Sequence, residues 1–291
     1  MSRRPIEIDD LYRIRFVADP NISPDGRRLA WVVTDVDRKR DGYASNIWCV
    51  DLDGDRTSFR LTTGSGKDSS PRWSPDGTML AFLSDRSGRN QVHVMYADGG
   101  ESWQVTDGPN AASDIAWSPD STSLAYVAKV EPTEKPVSDV RVITTMLYRM
   151  DGEGFFDGKN RQVHIVSVHD GEPRQVTDGD WHSVQPAFSA DGRTLAVVSN
   201  RSEGRKENRL SDIWLIELAT GRAERLTPED GAYVTPAWSP AGEVVAYVGH
   251  PVTEKYGPVT LDDLYVHDVA ADEPRGLLAA HDREPGNSAI A

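Results

Sequence analysis

One cysteine, Cys49, stands in 291 residues. It cannot form an internal disulfide or a cysteine metal cage, and a reducing compartment is its natural setting. It lies in the apolar run 47–52 and reads as a small buried hydrophobe rather than a reactive thiol. Basic residues are scarce, 32 against 46 acidic, for a net charge of −14. So acidic a chain is a poor partner for nucleic acid. No run approaches the about 18 apolar residues of a membrane span. After Arg3-Arg4, Glu7, Asp9 and Asp10 stand where an export signal needs an apolar stretch, so a cytoplasmic protein is expected. Helical periodicity is almost missing. Only residues 5–15 carry it, with Pro5 in a first turn and Ile8, Leu11, Tyr12 and Arg15 at helical spacing.

What is present is a repeat. Ser23-Pro24-Asp25-Gly26 is followed by Leu29-Ala30, and Ser74-Pro75-Asp76-Gly77 by Leu80-Ala81. Ser118-Pro119-Asp120-Ser121, Ser189-Ala190-Asp191-Gly192 and Ser239-Pro240-Ala241-Gly242 continue the series. The serines are 51, 44, 71 and 50 residues apart. Units of about 40–50 residues are those of propeller blades. Proline presets the second turn position, aspartate bonds nearby backbone, and glycine accepts a left-handed conformation. An aromatic precedes four of the turns: Trp73, Trp117, Phe188 and Trp238. The run after each turn is apolar on both alternating faces, which suits a sheet packed between sheets. A second strand follows (47–52, 92–97, 163–168, 213–218, 264–269), and then a short outer one at Leu61-Thr62, Val105-Thr106, Val176-Thr177 and Leu226-Thr227. Four strands per unit with little helix predict an all-β fold, a β-propeller of four-stranded blades. Residues 1–20 form a leading segment and 21–291 an incomplete propeller of about five blades. Aligning Ile290-Ala291 on Ile115-Ala116 predicts that the chain ends inside the first strand of a further repeat, as a piece of a longer polypeptide.

The Trp-Ser-Pro-Asp-Gly turns with Leu-Ala behind them resemble repeats of the TolB protein and of serine peptidases of the prolyl oligopeptidase family. The opening Asp10-Leu11-Tyr12-Arg13, leading through Val17-Ala18-Asp19-Pro20, resembles the acylaminoacyl-peptidase and dipeptidyl-aminopeptidase branch. So does Leu147-Tyr148-Arg149-Met150-Asp151-Gly152-Glu153-Gly154. The resemblance implies a propeller capping a C-terminal α/β-hydrolase domain with a Ser-Asp-His triad, the two enclosing a cavity for short peptides. No triad residue can be placed on this sequence, so the chain itself is expected to lack catalysis. Its implied partners are the hydrolase domain and short peptides, without nucleic acid or membrane, and a homo-oligomer is compatible with the sequence. A TolB-like or scaffold propeller that binds other proteins is the alternative.

Motifs that carry chemistry are few. Gly286-Asn287-Ser288-Ala289-Ile290 lacks the last glycine of a nucleophile elbow and has no helix after it. Gly64-Ser65-Gly66-Lys67 lacks the first glycine of a phosphate loop and reads as an inter-strand turn. No histidine spacing makes a zinc signature, and neither metal nor cofactor is expected. His93, His164 and His267 read as equivalent second-strand packing positions. Asp85-Arg86 and Asn200-Arg201 recur at matching hairpin positions and suggest ion pairs or turn bonds. The third unit has about 23 residues more than the others, an insertion over about 129–161, and insertions of that length are often functional or else disordered. Val140–Arg149 could add a strand or hairpin. Tyr148, Arg149, Asp151, Glu153 and Phe155 are the candidates for contact with substrate or a second domain. The competing expectation is a glycine-rich hairpin whose aromatics cover a blade edge, with Arg149 paired to Asp151 or Glu153. Arg72, Asp114 and Gln185, on strands entering the Ser-Pro turns, are candidates to line a central channel.

Overall fold

The computed structural model describes residues 4–38, 41–54, 56–64, 66–132, 140, 142–146, 148–150, 154–155, 158–169, 171–251, 262–271 and 273–278. They belong to two compact units, 1–124 with 166–173 and 125–165 with 174–291. The first unit opens on a 3-10 helix, Ile8–Arg13, and holds two antiparallel sheets. One runs in the order β1 (Arg15–Ile22), β2 (Arg28–Asp37), β3 (Gly42–Asp51), β4 (Phe59–Arg60). The next runs β5 (Asp68–Trp73), β6 (Met79–Ser84), β7 (Gln91–Tyr96), β8 (Trp103–Gln104). The third repeat supplies strands to both units: β9 (Ala112–Trp117), β10 (Ser123–Val130), then β13 (Asn160–Ser167) and β14 (Arg174–Gln175). Its insertion holds a small hairpin, β11 (Arg149–Met150) with β12 (Gly154–Phe155). The second unit adds β15 (Ser183–Phe188), β16 (Thr194–Ser199), β17 (Asp212–Glu217), β18 (Ala223–Arg225) and a last sheet of β19 (Gly231–Trp238), β20 (Val244–Pro251), β21 (Asp263–Asp268), β22 (Arg275–Gly276). Four strands in chain order per sheet is the predicted blade.

The expected helix over 5–15 is a correction. Only six residues are helical, none is buried, and β1 already begins at Arg15. The short turn is held by polar contacts, since the Asp10 carboxylate accepts the Glu7 N–H and pairs with Arg4. Periodic apolar residues with nothing to pack against do not sustain a longer helix.

The Ser-Pro-Asp-Gly turn is self-contained. In the second repeat Gly77 N–H donates to the Ser74 carbonyl at 2.9 Å, and Ser74 Oγ donates to Asp76 Oδ1 at 2.6 Å. Asp76 Oδ1 accepts the Thr78 N–H, and Ser74 Oγ accepts that of Met79. Ser23, Ser118 and Ser189 repeat the serine–aspartate bond at 2.6 Å. The last residue of the turn takes φ of +68 to +78° where it is glycine. Ser121 holds φ +60° there, and its Oγ accepts the Asp76 N–H of the preceding turn at 3.1 Å. The repeating aspartates are therefore occupied with turn geometry rather than available for chemistry.

Each outer strand ends two residues earlier than the sequence suggests, because the threonine of each Leu-Thr or Val-Thr pair does a different job. Thr62, Thr106, Thr177 and Thr227 each accept a second-strand N–H on Oγ1, from Ile47, Val92, Val163 and Ile213 at 2.9–3.0 Å. Three of them also donate to a buried side chain: Thr106 to Gln91, Thr177 to Gln162 and Thr227 to Asp212.

The core lies between successive sheets, as the two-faced apolar runs require. In the first unit Ala30, Ile47 and Cys49 pack with Trp73, Leu80 and Phe82. Cys49 is 1 % exposed, and burial pushes its thiol pKa up. In the second unit Ala196, Val198 and Ile213 pack with Tyr233, Val245 and Tyr247. The tryptophan before each turn ties neighbours together. Trp73, Trp117 and Trp238 each donate the indole N–H to the carbonyl two residues before the previous repeat's serine, at Asn21, Arg72 and Ala187 (2.9–3.1 Å). Trp117→Phe keeps the ring but removes this donor. It is expected to lower unfolding stability by about 1 kcal/mol, measured by urea denaturation, with no change in circular dichroism.

A cross-strand ring pair also recurs: Trp31 opposite Trp48, Phe82 opposite His93, Tyr247 opposite Tyr265. His164 stacks on Tyr126 at 5.3 Å. His93 and His164 thus hold one packing position. His267 does not, because it pairs with Val245, two residues further along the strand than Tyr265. Burial holds the His93 pKa down at about 4, so it packs as a neutral ring.

Candidate functional site

The first strand of every repeat carries one residue in a left-handed conformation, always four before the turn serine. These are Asp19, Ser70, Asp114, Gln185 and Thr235, with φ of +46 to +54°. Register shifts at Ala18/Asn21, Ser69/Arg72, Val184/Ala187 and Val234/Ala237 mark four of these positions as bulges. A positive φ in a non-glycine strand residue is uncommon, and bulges re-aim side chains. Two of the three channel candidates, Asp114 and Gln185, occupy this position, and the Gln185 side-chain oxygen accepts the Thr235 N–H at 2.7 Å. Arg72 lies two residues beyond it. Its Nη1 donates to Asp19 Oδ1 at 2.8 Å and to the Pro71 carbonyl, and its carbonyl receives the Trp117 indole. Arg72 is thereby a tie between repeats.

The insertion candidates are brought together in part. Val140–Arg149 contributes only Arg149 to a strand among the described residues, a correction to the expected pairing. Two glycine-flanked residue pairs suffice to close the hairpin. Tyr148 and Phe155 stand 46 % and 45 % exposed with rings 6.1 Å apart, and Arg149 lies 5.4 Å over the Phe155 ring. The aromatics are therefore not buried against an edge. Asp151 and Glu153 lie outside the described residues, as do Ser288 and the chain end at 287–291. A Met146 N–H bond to the Lys206 carbonyl, 2.8 Å, links the segment to the loop after β16.

A second constellation gathers around Arg86 and Arg201, expected to make ion pairs or turn bonds; their partner positions, 68 and 183, escaped the sequence reading. In the second repeat the fully buried Asp68 accepts from Arg86 Nη2 at 3.0 Å; Arg86 also donates Nε to Ser84 and Nη1 to Ser102. The neighbouring Asp85 accepts the Lys67 N–H. In the fourth repeat Arg201 takes the place of Arg86 and Ser199 that of Ser84, but Ser183 stands in the place of Asp68. Arg201 donates Nε to Ser199 at 3.3 Å and makes no ion pair among the described residues; of the two kinds of contact expected here, the turn bonds are present, from the Ser202 N–H and Oγ to Asn200 Oδ1. Its guanidinium lies 4.4 Å over Trp214 and 5.3 Å over Trp181. The signal was available in the serine spacing, six residues before and twelve after.

Among the described residues no group of acidic, histidine and cysteine side chains could hold a metal ion, and no helix is long and apolar enough to cross a membrane. A recess of about 430 Å³ beside Asp191, Trp238, Gly242 and Val269 touches none of the candidates.

Residues 14–148 match the family model described as the TolB beta propeller domain. The uncharacterized peptidase YuxL of Bacillus subtilis is 32 % identical over 74 % of this chain, covering 34 % of that protein. Dipeptidyl-peptidase 5 of Porphyromonas gingivalis is 25 % identical over 80 % of this chain and 37 % of its own length. The chain thus spans about a third of the curated relatives it matches. Among solved structures, Pyrococcus horikoshii acylaminoacyl peptidase aligns with 94 % of this chain and 41 % of its own, at a TM-score of 0.69 and 21 % identity, which supports the fold.

Proposed function

We propose that this chain, a β-propeller similar over residues 14–148 to the TolB beta propeller domain and similar in sequence to a peptidase, is the non-catalytic propeller domain of a serine peptidase of the prolyl oligopeptidase family. In this reading an α/β-hydrolase domain elsewhere in the parent polypeptide carries the triad, and the propeller restricts access to short peptides in the cytoplasm. The observation that carries the reading is one-sided coverage: similarity extends over three-quarters of this chain but a third of the peptidase. The propeller starts with β1 at Arg15 rather than at the expected residue 21, with the segment before it leading in. Asp114 and Gln185, both in the left-handed backbone position of their strands, line the substrate path, with Arg72 holding the repeats that border it. Tyr148, Arg149 and Phe155 present an exposed aromatic and cationic surface to the hydrolase domain or to a peptide end, with Asp151 and Glu153 between them.

The test has two arms. The encoded sequence beyond residue 291 should contain a nucleophile elbow followed by Asp and His. The full-length protein should then hydrolyse acyl-peptide or aminoacyl chromogenic substrates and leave a folded protein uncut. A stop codon after one or two more repeats would instead favour the protein-binding propeller that the TolB match describes. In an active full-length enzyme, Arg149→Ala is expected to raise KM about tenfold with little change in thermal stability. Unchanged kinetics would reduce the hairpin to a loop.

A further inference from the structure

The Arg201 guanidinium is set out as a receptor that lacks its counter-ion. Its counterpart Arg86 uses all three nitrogens, on Ser84, Ser102 and Asp68. Arg201 uses only Nε, at the longer distance of 3.3 Å. Trp181 and Trp214 cover ring-facing surface of the cation, and a guanidinium stacked on rings presents its N–H donors at its edge. Ser183, which replaces the carboxylate, is fully buried, and its Oγ has no hydrogen-bond partner among the described residues. The indole N–H groups of Trp181 and Trp214 are likewise buried without acceptors. The cluster therefore gathers hydrogen-bond donors and a cation where the second repeat places an acceptor. Burial depresses the arginine pKa, and the Asp178 charge raises it without a direct bond. The nearby Asp180 is engaged by Arg205 and Lys206. Arg201, Trp181 and Trp214 are half-buried rather than sealed.

We propose that Arg201, between Trp181 and Trp214 and beside Ser183, is a binding site for a carboxylate. The incoming group replaces the Asp68 carboxylate of the second repeat and takes the unused Nη donors of Arg201, while Ser183 Oγ supplies a further donor. Ligands that carry the group are the free C-terminus of a short peptide or an acidic side chain. The site stands on the repeat comparison alone and does not depend on the peptidase reading.

The test titrates the chain, followed by indole N–H shifts in two-dimensional NMR, with three peptides: N-acetyl-Gly-Gly, its C-terminal amide, and N-acetyl-Gly-Asp-Gly-amide. Saturable shifts of the Trp181 and Trp214 signals, with Kd on the order of 1 mM, are expected for N-acetyl-Gly-Gly and absent for its amide. Equal binding of the aspartyl peptide identifies any carboxylate as a ligand, and its failure to bind narrows the site to chain ends. Arg201→Lys keeps the charge but loses the fork, and should weaken binding about tenfold. Ser183→Asp restores the second repeat's pair, so it should abolish binding and raise the melting temperature. Binding that is no stronger for the acid than for the amide overturns the proposal, as does binding left undiminished by either substitution.

Discussion

Arg86→Leu should cost the chain about 3 kcal/mol of unfolding stability, read as a lower urea midpoint. The substitution strands the Asp68 carboxylate. Asp68 is fully buried, one of its oxygens bonds Arg86, and the other has no partner among the described residues. Removing one member of a buried pair costs about 3–5 kcal/mol, since the remaining charge is neither solvated nor compensated. The lower end applies because Arg86 is itself about one-third exposed. The fourth repeat indicates the cure, because it carries serine at the place of Asp68. Asp68→Ser in the Arg86→Leu background should recover most of the loss, giving a coupling of about 2 kcal/mol in a double-mutant cycle. If the double variant is as unstable as the single one, the loss comes from Arg86 packing over the Phe82 ring, not from the stranded charge.

Asp212→Asn should do the opposite and stabilise the chain at neutral pH. Asp212 is 1 % exposed; Thr227 satisfies Oδ1, and Oδ2 has no partner among the described residues. Burial raises its pKa to about 6 against the Thr227 bond and the Arg225 charge, and Glu229 and Asp230 add to the rise. The folded chain thus keeps a proton that the unfolded chain releases near pH 4. Below that pH both states are protonated and Asp212 costs nothing. As pH rises from about 4 to about 6, stability falls, and by pH 7 the deficit is about 3 kcal/mol. The amide removes the charge but leaves an N–H unpaired, at about 1 kcal/mol. The net gain at pH 7.5 is therefore about 2 kcal/mol, shrinking to a loss near pH 4. A gain independent of pH would show that ionisation of Asp212 is not the cause. The turn aspartates work in the other direction. Serine hydroxyls hold Asp25, Asp120 and Asp191 below the usual carboxylate range, so their stabilisation is present at neutral pH and lost as acid titrates them.

Much of this fold is written in short-range chemistry, and there the sequence was readable. Ser74-Pro75-Asp76-Gly77 closes by bonds spanning at most five residues, and Leu80–Leu83 is apolar on both faces because sheets cover both. What could not be read depends on partners far apart in the chain. Trp117 is visibly periodic, but its bond to the Arg72 carbonyl spans 45 residues. Arg201 looked like its twin Arg86, because the difference between them sits 18 residues upstream at Ser183. The left-handed positions at Asp114 and Gln185 are chemically silent in sequence, since aspartate, serine, glutamine and threonine share no residue-type preference that marks the position.

The closed bonding of the Ser-Pro turns bears on how the chain acquires its structure. A hairpin whose turn satisfies its own hydroxyl, carboxylate and N–H groups needs no distant segment to begin, so loop-closure entropy at that step is small. Each hairpin can form during synthesis before the following repeat has been made, with the indole bonds added as the next sheet arrives. Added residues are tolerated where they fall outside that nucleus. The third repeat shows this: its extra residues come after β10, and the Ser118 turn keeps the same bonds as its shorter neighbours.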